Sequence, residues 1–203
     1  MTRTTRSTAQ STKDDTPTTS APYSKKPRAK KISNMTTQDM QAADGDEAEA
    51  LHAITVQEPF ASAIIHGSKR LENRKFRLAI QDQKRGRWVA IHAGKSDRCF
   101  KDGTYNVVRL QCWPEAPPES TLRTTGGKIL GLAHFSACVP LTEIPDTNVW
   151  KSTETCSQKM YGWIIDRVVP LERPVEHSGQ LGLWRVKEAV AIGLWEQAKA
   201  GEE

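Results

Sequence analysis

"VQEPFASAIIHGSKRLENRKF", residues 56–76, places an acid-Pro-Phe opening, a short apolar stretch and a polar cluster directly after one another. Pro59 suits the first turn of a helix and Gly67 suits its end. Between them, Ala61, Ile64 and Ile65 recur at helical spacing. The stretch therefore predicts a short helix with one buried stripe, followed by a strand.

The polar cluster of that strand consists of Lys69, Glu72 and Arg74. Period 2 places Glu72 and Arg74 on one face, with Leu71 and Asn73 on the other, and Lys69 lies at the mouth of the strand. One interpretation is an ion pair at an exposed turn, worth about 0–1 kcal/mol. The other is a site, in which a lysine beside a second cation has a lowered pKa and serves as base or nucleophile. The residue types alone leave both open.

Further apolar stretches predict the rest of the fold. The expected strands are HAITVQ (52–57), KRLENRKF (69–76), GRWVAIHAGK (86–95), GKILGLAHFSACVPL (127–141), YGWIIDRVVPLE (161–172) and LGLWRV (181–186). A closing helix is expected over residues 187–200. Strands with few long helices favour an α+β fold, a small mixed β-barrel with short helices, over a doubly wound sheet.

The N-terminal part of the chain differs in composition from the rest. Residues 1–50 are poor in large apolar side chains, so we expect a disordered tail before a domain at 51–203. The tail is basic over residues 1–33 and forms an acidic linker over 34–50. Its densest cations suit a nuclear-import signal or an arm that binds nucleic-acid phosphates, although a solvated charge run is the alternative. They are Lys25, Lys26, Arg28, Lys30 and Lys31.

Composition also bounds the class of protein. No apolar stretch approaches eighteen residues and the N-terminus has no signal-peptide core, so we expect no membrane span and an intracellular protein. The basic segment favours the nucleus over the cytoplasm. The cysteines at 99, 112, 138 and 156 form no C-x-x-C pair, which predicts reduced thiols and no metal site. We expect no cofactor.

Five segments, in their order along the chain, resemble the ASCH domain of the PUA-like superfamily. They are ITVQEPFASAIIHGSKRLENR, RGRWVAIHAGK, GKILGLAHF, YGWIIDRVVPLERPV and GQLGLW, and they run through most of residues 51–186. The most specific pieces are the Pro-aromatic opening, the G-x-K-x-x-E-x-R motif and the G-x-x-G-L-W ending. Where the family usually has Gln-Pro-Trp, this chain has Glu58, Pro59 and Phe60, which puts an acid at the expected rim of the cleft.

The resemblance implies a PUA-like barrel with a cleft lined by the motif strand and neighbouring loops. ASCH domains are thought to bind RNA or other nucleic acids, and some small bacterial relatives hydrolyse the acetyl amide of 4-acetylcytidine. Their motif lysine corresponds to Lys69 and their motif arginine to Arg74. Those hydrolases have Thr at the position of Glu72, and their distal catalytic Glu has no match here. Lys69, Glu72 and Arg74 are therefore catalytic candidates only if the protein is an enzyme, which the sequence leaves undecided.

Other residues complete the expected ligand site. His92 and Lys95 belong to a strand that borders the cleft in the family, and Trp184 offers a ring for base stacking. The glycines of the last motif permit a backbone to approach a ligand closely, although turn geometry also explains them. The expected ligand-binding residues are Glu58, Pro59, Phe60, Lys69, Glu72, Arg74, His92, Lys95, Gly179, Gly182 and Trp184.

Three hypotheses of function follow. The first is binding of RNA, another nucleic acid or a modified nucleoside in the cleft, with the basic arm on the phosphate backbone. The net charge of +4 over residues 51–203 is a mild attraction for phosphate. The second is an amidohydrolase that acts on acylated pyrimidine nucleosides. The third is a protein-interaction adaptor with a vestigial cleft and partners that bind the tail.

Overall fold

The computed structural model describes residues 50–80, 85–153 and 160–200. The expected basic arm at 25–31 and the acidic linker up to residue 49 lie outside the described residues, as does Cys156. The division into a tail and a domain therefore stays a prediction.

The strands of the described residues form one mixed sheet that curls into half a barrel. They are β1 His52–Gln57, β2 Leu71–Arg74, β3 Arg87–Gly94, β4 Lys128–Pro140, β5 Tyr161–Glu176 and β6 Leu183–Arg185. The order across the sheet is β2-β5-β4-β3-β1-β6, with β1 parallel to β3 and every other neighbour antiparallel. The predicted α+β class with a small, mixed, barrel-like sheet is confirmed.

Short helices connect these strands. They are α1 Phe60–Ile65, α2 Arg98–Lys101, α3 Thr104–Gln111, α4 Glu119–Arg123 and α5 Glu188–Ala200, and a 3₁₀ turn covers Leu141–Glu143. Helices α1 and α5 lie where the sequence predicts them, and α2 to α4 lie between the expected strands 86–95 and 127–141. Within the described ranges, no helix combines the length and the apolar character needed to cross a membrane.

Helix α1 is buried on more sides than its sequence period predicts. Its residues from Ala61 to Ile65 are all buried, including Ser62. Ile64 and Ile65 pack into the main core of the sheet, while Ala63 packs into a second core that contains Trp113. The expectation of one buried stripe is therefore wrong, because the helix lies between two apolar clusters instead of on a solvated surface.

The contact between α1 and the sheet depends on Gly131 of β4. A Cβ atom at this position would lie 2.6 Å from the Val169 carbonyl oxygen and 2.9 Å from Ile65 Cδ1. The pairing of β4 with β5 also shifts register between Ile129 and Gly131. Glycine in a strand interior commonly marks such a close approach of another chain segment.

We expect Gly131→Ala to lower the free energy of unfolding by roughly 1–3 kcal/mol, because the backbone of β5 cannot move aside as a side chain can. The matched control is Gly193→Ala in α5, where an added methyl group meets nothing within 4 Å. That change is expected to stabilise the protein by about 0.5–1 kcal/mol, since alanine is the better helix former. Urea unfolding of both variants measures the difference. Equal stability of Gly131→Ala and the wild type would show that this contact is not tight.

Candidate functional site

A cleft of about 1160 Å³ opens between β1, β2, β3, α3, the segment around Trp150 and the turn at 177–182. Eight of the eleven expected ligand residues line it: Phe60, Lys69, Glu72, Arg74, His92, Lys95, Gly179 and Gly182. Glu58, Pro59 and Trp184 are not among the lining residues. The cleft therefore brings together the motif strand and the glycine-rich turn, which are about a hundred positions apart in sequence.

The floor of the cleft is an array of three charged side chains. Glu72 Oε2 lies 3.2 Å from Lys69 Nζ, and Glu72 Oε1 lies 3.0 Å from Arg74 Nη2. Lys69 and Glu72 are buried, and Arg74 is about one-fifth exposed. The alternation of the strand places Glu72 and Arg74 on one face, as predicted. The array is a buried network and not an ion pair at an exposed turn.

Lys69 is enclosed by aromatic rings as well as by charge. Its ammonium lies 5.7 Å from the Phe60 ring centroid and 5.3 Å from that of Trp150, and it donates a hydrogen bond to the Leu71 carbonyl oxygen. Burial lowers the pKa of Lys69, the Glu72 carboxylate opposes this change, and Arg74 adds to it. The contacts hold the ammonium form as a hydrogen-bond donor, while the loss of water favours the neutral amine.

Arg74 connects two parts of the curled sheet that share no backbone ladder. Its Nη2 donates to the Thr55 carbonyl oxygen of β1 at 2.9 Å, whereas Arg74 itself belongs to β2 at the far edge of the sheet. Among the described residues, its buried Nε has no hydrogen-bond partner. Arg74 therefore bridges the open side of the half-barrel, and its Nε–H group remains available as a hydrogen-bond donor.

The opposite wall of the cleft is built on His92. Its Nε2 lies 3.0 Å from the His177 carbonyl oxygen, so Nε2 carries the proton and Nδ1 keeps the lone pair. Nδ1 is buried and has no partner among the described residues. Burial lowers the pKa of His92, which favours the neutral ring. His92 therefore presents a buried acceptor next to the cleft.

Gly179 and Gly182, the glycines of the last motif, are required for different structural reasons. A Cβ atom at Gly179 would lie 2.5 Å from His92 Cε1, so the close approach that this glycine permits is to the protein's own histidine. Gly182 has φ of +71° and open space around it, which is the turn explanation. Both nevertheless line the cleft.

Trp184 does not provide the stacking surface that the sequence suggests. Its ring is 5% exposed and lies under His177, with ring centroids 4.9 Å apart and planes inclined by 19°. It also meets the edge of His92 at 6.0 Å. The expectation fails because β6 directs Trp184 into the core beside Val186, and the half-buried His177 ring covers it.

Glu58 and its neighbour Pro59 lie behind the cleft instead of at its rim. The Glu58 side chain is buried, at 1% exposure, and faces α1. Ser62 donates to it from its backbone nitrogen at 3.1 Å and from Oγ at 2.8 Å, and Thr125 Oγ1 lies 2.5 Å away. The acid therefore anchors the helix start and does not set the polarity of the cleft mouth.

The hydrogen-bond geometry around Glu58 fits its neutral acid form better than its carboxylate. Thr125 Oγ1 lies within 2.7 Å of the Leu122 carbonyl oxygen as well, and one hydroxyl proton cannot serve both acceptors. A protonated Glu58 resolves this by donating to Thr125, which then donates to Leu122. Burial raises the pKa of Glu58, and the hydrogen bonds from Thr125 and Ser62 only partly oppose it.

Trp150 and His177 are among the lining residues that the sequence analysis does not single out. The side-chain amide of Asn73 holds Trp150 in place by donating to the Trp150 carbonyl oxygen at 2.7 Å. Asn73 Oδ1 also accepts from the Ser152 nitrogen at 3.2 Å. The available signal was the amide of Asn73 on an edge strand. His177 had none, since it lies in a polar stretch.

No group of three or more His, Cys, Asp or Glu side chains in the described ranges is arranged to hold a metal ion. The charged floor pairs one carboxylate with two cations, so it lacks the multiple oxygen ligands that a divalent ion needs.

Comparison with known proteins gives a fold likeness. No family model matches the chain, and no curated protein matches it. The crystal structure of ASCH from Zymomonas mobilis is 13% identical, with a TM-score of 0.45, over 72% of this chain and 94% of that chain. A mutant form of the same protein gives 13% identity, a TM-score of 0.45, and 72% and 95% coverage. The likeness concerns the fold alone, and it names the family that the motifs resemble.

We expect the stability of the wild type to fall, relative to Glu58→Gln, as pH rises. Because the pKa of Glu58 is raised in the folded protein, the stability that its neutral form contributes is fully present below the ordinary pKa of 4.5. That stability is lost as the pH rises through the higher pKa of the folded state. A glutamine can accept from the Ser62 nitrogen and donate to both hydroxyl oxygens. At pH 8 the variant is expected to be more stable by roughly 1–3 kcal/mol.

Urea unfolding between pH 4 and 8 measures this difference. Glu196→Gln, at an exposed position of α5, is the matched control and should show no such trend. Parallel curves for the wild type and Glu58→Gln would contradict a neutral, buried Glu58.

Proposed function

We propose that the cleft binds a nucleobase of RNA or another nucleic acid, or a modified nucleoside. The observation that carries this proposal is the open cleft of about 1160 Å³ above the Lys69, Glu72 and Arg74 array. Ligand pockets for small molecules generally hold about 300–1,000 Å³. A nucleoside therefore fits with room for a neighbouring group.

The floor offers both kinds of hydrogen-bonding group that a base edge requires. Glu72 supplies carboxylate oxygens, and Arg74 supplies guanidinium donors beside them. Such groups discriminate among ligands because a mismatched partner leaves a buried polar group unpaired. The array therefore favours a ligand with adjacent donors and acceptors, as nucleobases have.

The mouth of the cleft offers apolar contact. Val107 is 51% exposed, Val149 is 59% exposed and Leu181 is fully exposed, and all three line the cleft. Large exposed apolar side chains around one opening commonly mark a binding site. They suit the flat faces of a base, while the charged floor suits its edge.

The basic arm extends the proposal beyond the cleft. Lys25, Lys26, Arg28, Lys30 and Lys31 would neutralise backbone phosphates without reading sequence. The same segment supports the proposal of a nuclear location. Both statements rest on the sequence, because these residues lie outside the described ranges.

We expect a short single-stranded RNA oligonucleotide to bind the full chain and to lose at least about ten-fold in affinity in Arg74→Met, since a charged hydrogen bond contributes about 1.5–3 kcal/mol. Fluorescence anisotropy of a labelled decamer measures the affinity. The matched control is Arg98→Met, because Arg98 is exposed, pairs with Asp102 and lies outside the cleft. Equal affinity of Arg74→Met and the wild type would contradict the proposal.

Because Arg74 also bridges the sheet, a second readout uses the wild-type chain. Cys112 lines the cleft, whereas Cys138 packs on the main core outside it. Bound oligonucleotide is expected to slow alkylation of Cys112 by iodoacetamide at least three-fold and to leave Cys138 unchanged. Peptide mass spectrometry follows both. Bound oligonucleotide with no protection of Cys112 would place binding outside the cleft.

An amidohydrolase is the second candidate, and one observation favours it. Burial lowers the pKa of Lys69, and Arg74 lies on the other side of Glu72 with unused donor capacity. In this candidate Lys69 acts as base or nucleophile, Arg74 stabilises the oxyanion and Glu72 orients the amine. The contacts that Lys69 already makes must loosen for this chemistry.

The hydrolase candidate predicts that 4-acetylcytidine and water yield cytidine and acetate, with the activity lost in Lys69→Met. Chromatography of the nucleosides after incubation with the full chain measures the product. Lys199→Met, which changes an exposed lysine of α5 outside the cleft, is the control and should retain product formation. Absence of cytidine with the wild type eliminates this candidate. An adaptor with a filled cleft, the remaining hypothesis, draws no support from the open cleft seen here.

A further inference from the structure

A second cleft of about 620 Å³ adjoins the first one. It is lined by Lys95, Gly126, Gly127, Glu176, His177, Ser178, Gln180 and Lys187. Five of these residues also line the larger cleft: Lys95, Gly127, His177, Ser178 and Gln180. The two spaces therefore lie side by side, and a ligand in the first has the second beside it.

The charge of the second cleft is mainly positive. Lys95 and Lys187 are both exposed, and neither forms an ion pair within the described part of the chain. Glu176 is the one carboxylate among the lining residues. Two ammonium groups against one carboxylate leave a net positive charge for an anionic group of a ligand.

The backbone at Gly127 leaves room for the Lys95 side chain. Gly127 has φ of +84°, and a Cβ atom there would lie 2.2 Å from Lys95 Cε. The aliphatic part of Lys95 therefore lies directly on Gly127, where any other residue would displace it. Gly126 and Gly127 place no side chain of their own in the second cleft, so Lys95 occupies this side of it.

We propose that the second cleft is a phosphate subsite, so that the ligand of the first cleft carries a phosphate attached to its nucleoside. Lysine ammonium groups act as point charges suited to phosphate, and Ser178 and Gln180 add polar groups beside them. The inference rests on the proposed function of the larger cleft. A terminal phosphate of a nucleotide and the phosphodiester of a strand share the chemistry that this subsite recognises.

The test compares cytidine, cytidine 5′-monophosphate and the dinucleotide CpC, each competing with the labelled decamer for the full chain. The wild type is expected to bind at least one phosphorylated ligand ten-fold or more tightly than cytidine. If cytidine 5′-monophosphate binds more tightly than cytidine, the subsite takes a terminal phosphate. If only CpC binds more tightly, the subsite takes a phosphodiester. Either result supports the subsite.

The double variant Lys95→Ala with Lys187→Ala is expected to lose this ten-fold gain of the phosphorylated ligands over cytidine. The matched control is Arg173→Ala with Lys199→Ala, which removes two exposed cations outside both clefts and should retain the gain. Urea unfolding confirms that each variant is folded.

The outcomes separate the two proposals. The subsite is overturned if the wild type binds cytidine and the phosphorylated ligands with equal affinity. It is also overturned if the gain persists in the Lys95 and Lys187 variant. Either result leaves the proposal of the base cleft intact. If the decamer binds without protecting Cys112 from alkylation, both the base cleft and the subsite built upon it fail.

Discussion

The curled sheet depends on the side-chain bridge from Glu72 through Arg74 to the backbone of β1. The two edges of the sheet, β2 and β6, share no ladder, so main-chain hydrogen bonds alone leave the half-barrel open. Arg74 crosses the gap by pairing with Glu72 on its own strand and donating to the Thr55 carbonyl oxygen. Thr55 in turn donates from its hydroxyl group to the Gln180 carbonyl oxygen. One line of polar contacts thus positions the floor and one wall of the cleft.

Burying these three charged side chains costs free energy of solvation. An ion moved from water into a protein interior loses several kcal/mol of solvation even after the surroundings relax. Hydrophobic residues of similar size would close the gap at least as well, as replacements of buried ion pairs in other proteins show. The cost of burying a lysine, a glutamate and an arginine at the base of an open cleft therefore supports the proposal that they serve a ligand.

The features of the site that depend on neighbours in sequence could be predicted, and those that depend on distant segments could not. The strand period correctly places Glu72 and Arg74 on one face, because neighbours two positions apart depend on local geometry alone. The roles of Glu58 and Trp184 were predicted wrongly. Thr125 lies against Glu58 from sixty-seven positions away, and His92 lies against Trp184, so contacts between distant segments place both side chains. Trp150 reaches the cleft only through Asn73, a hydrogen bond across seventy-seven positions.

The sequence by itself determined the positions of the strands along the chain, the α+β class and the proximity of Lys69, Glu72 and Arg74, because alternation, capping and motif spacing are properties of short segments. Only the tertiary structure decided whether that cluster is an exposed turn or a buried network. Burial, the rings of Phe60 and Trp150, and the bridge to Thr55 come from segments far apart in the chain. Desolvation of a charged group depends on everything that surrounds it, and no local pattern contains that information.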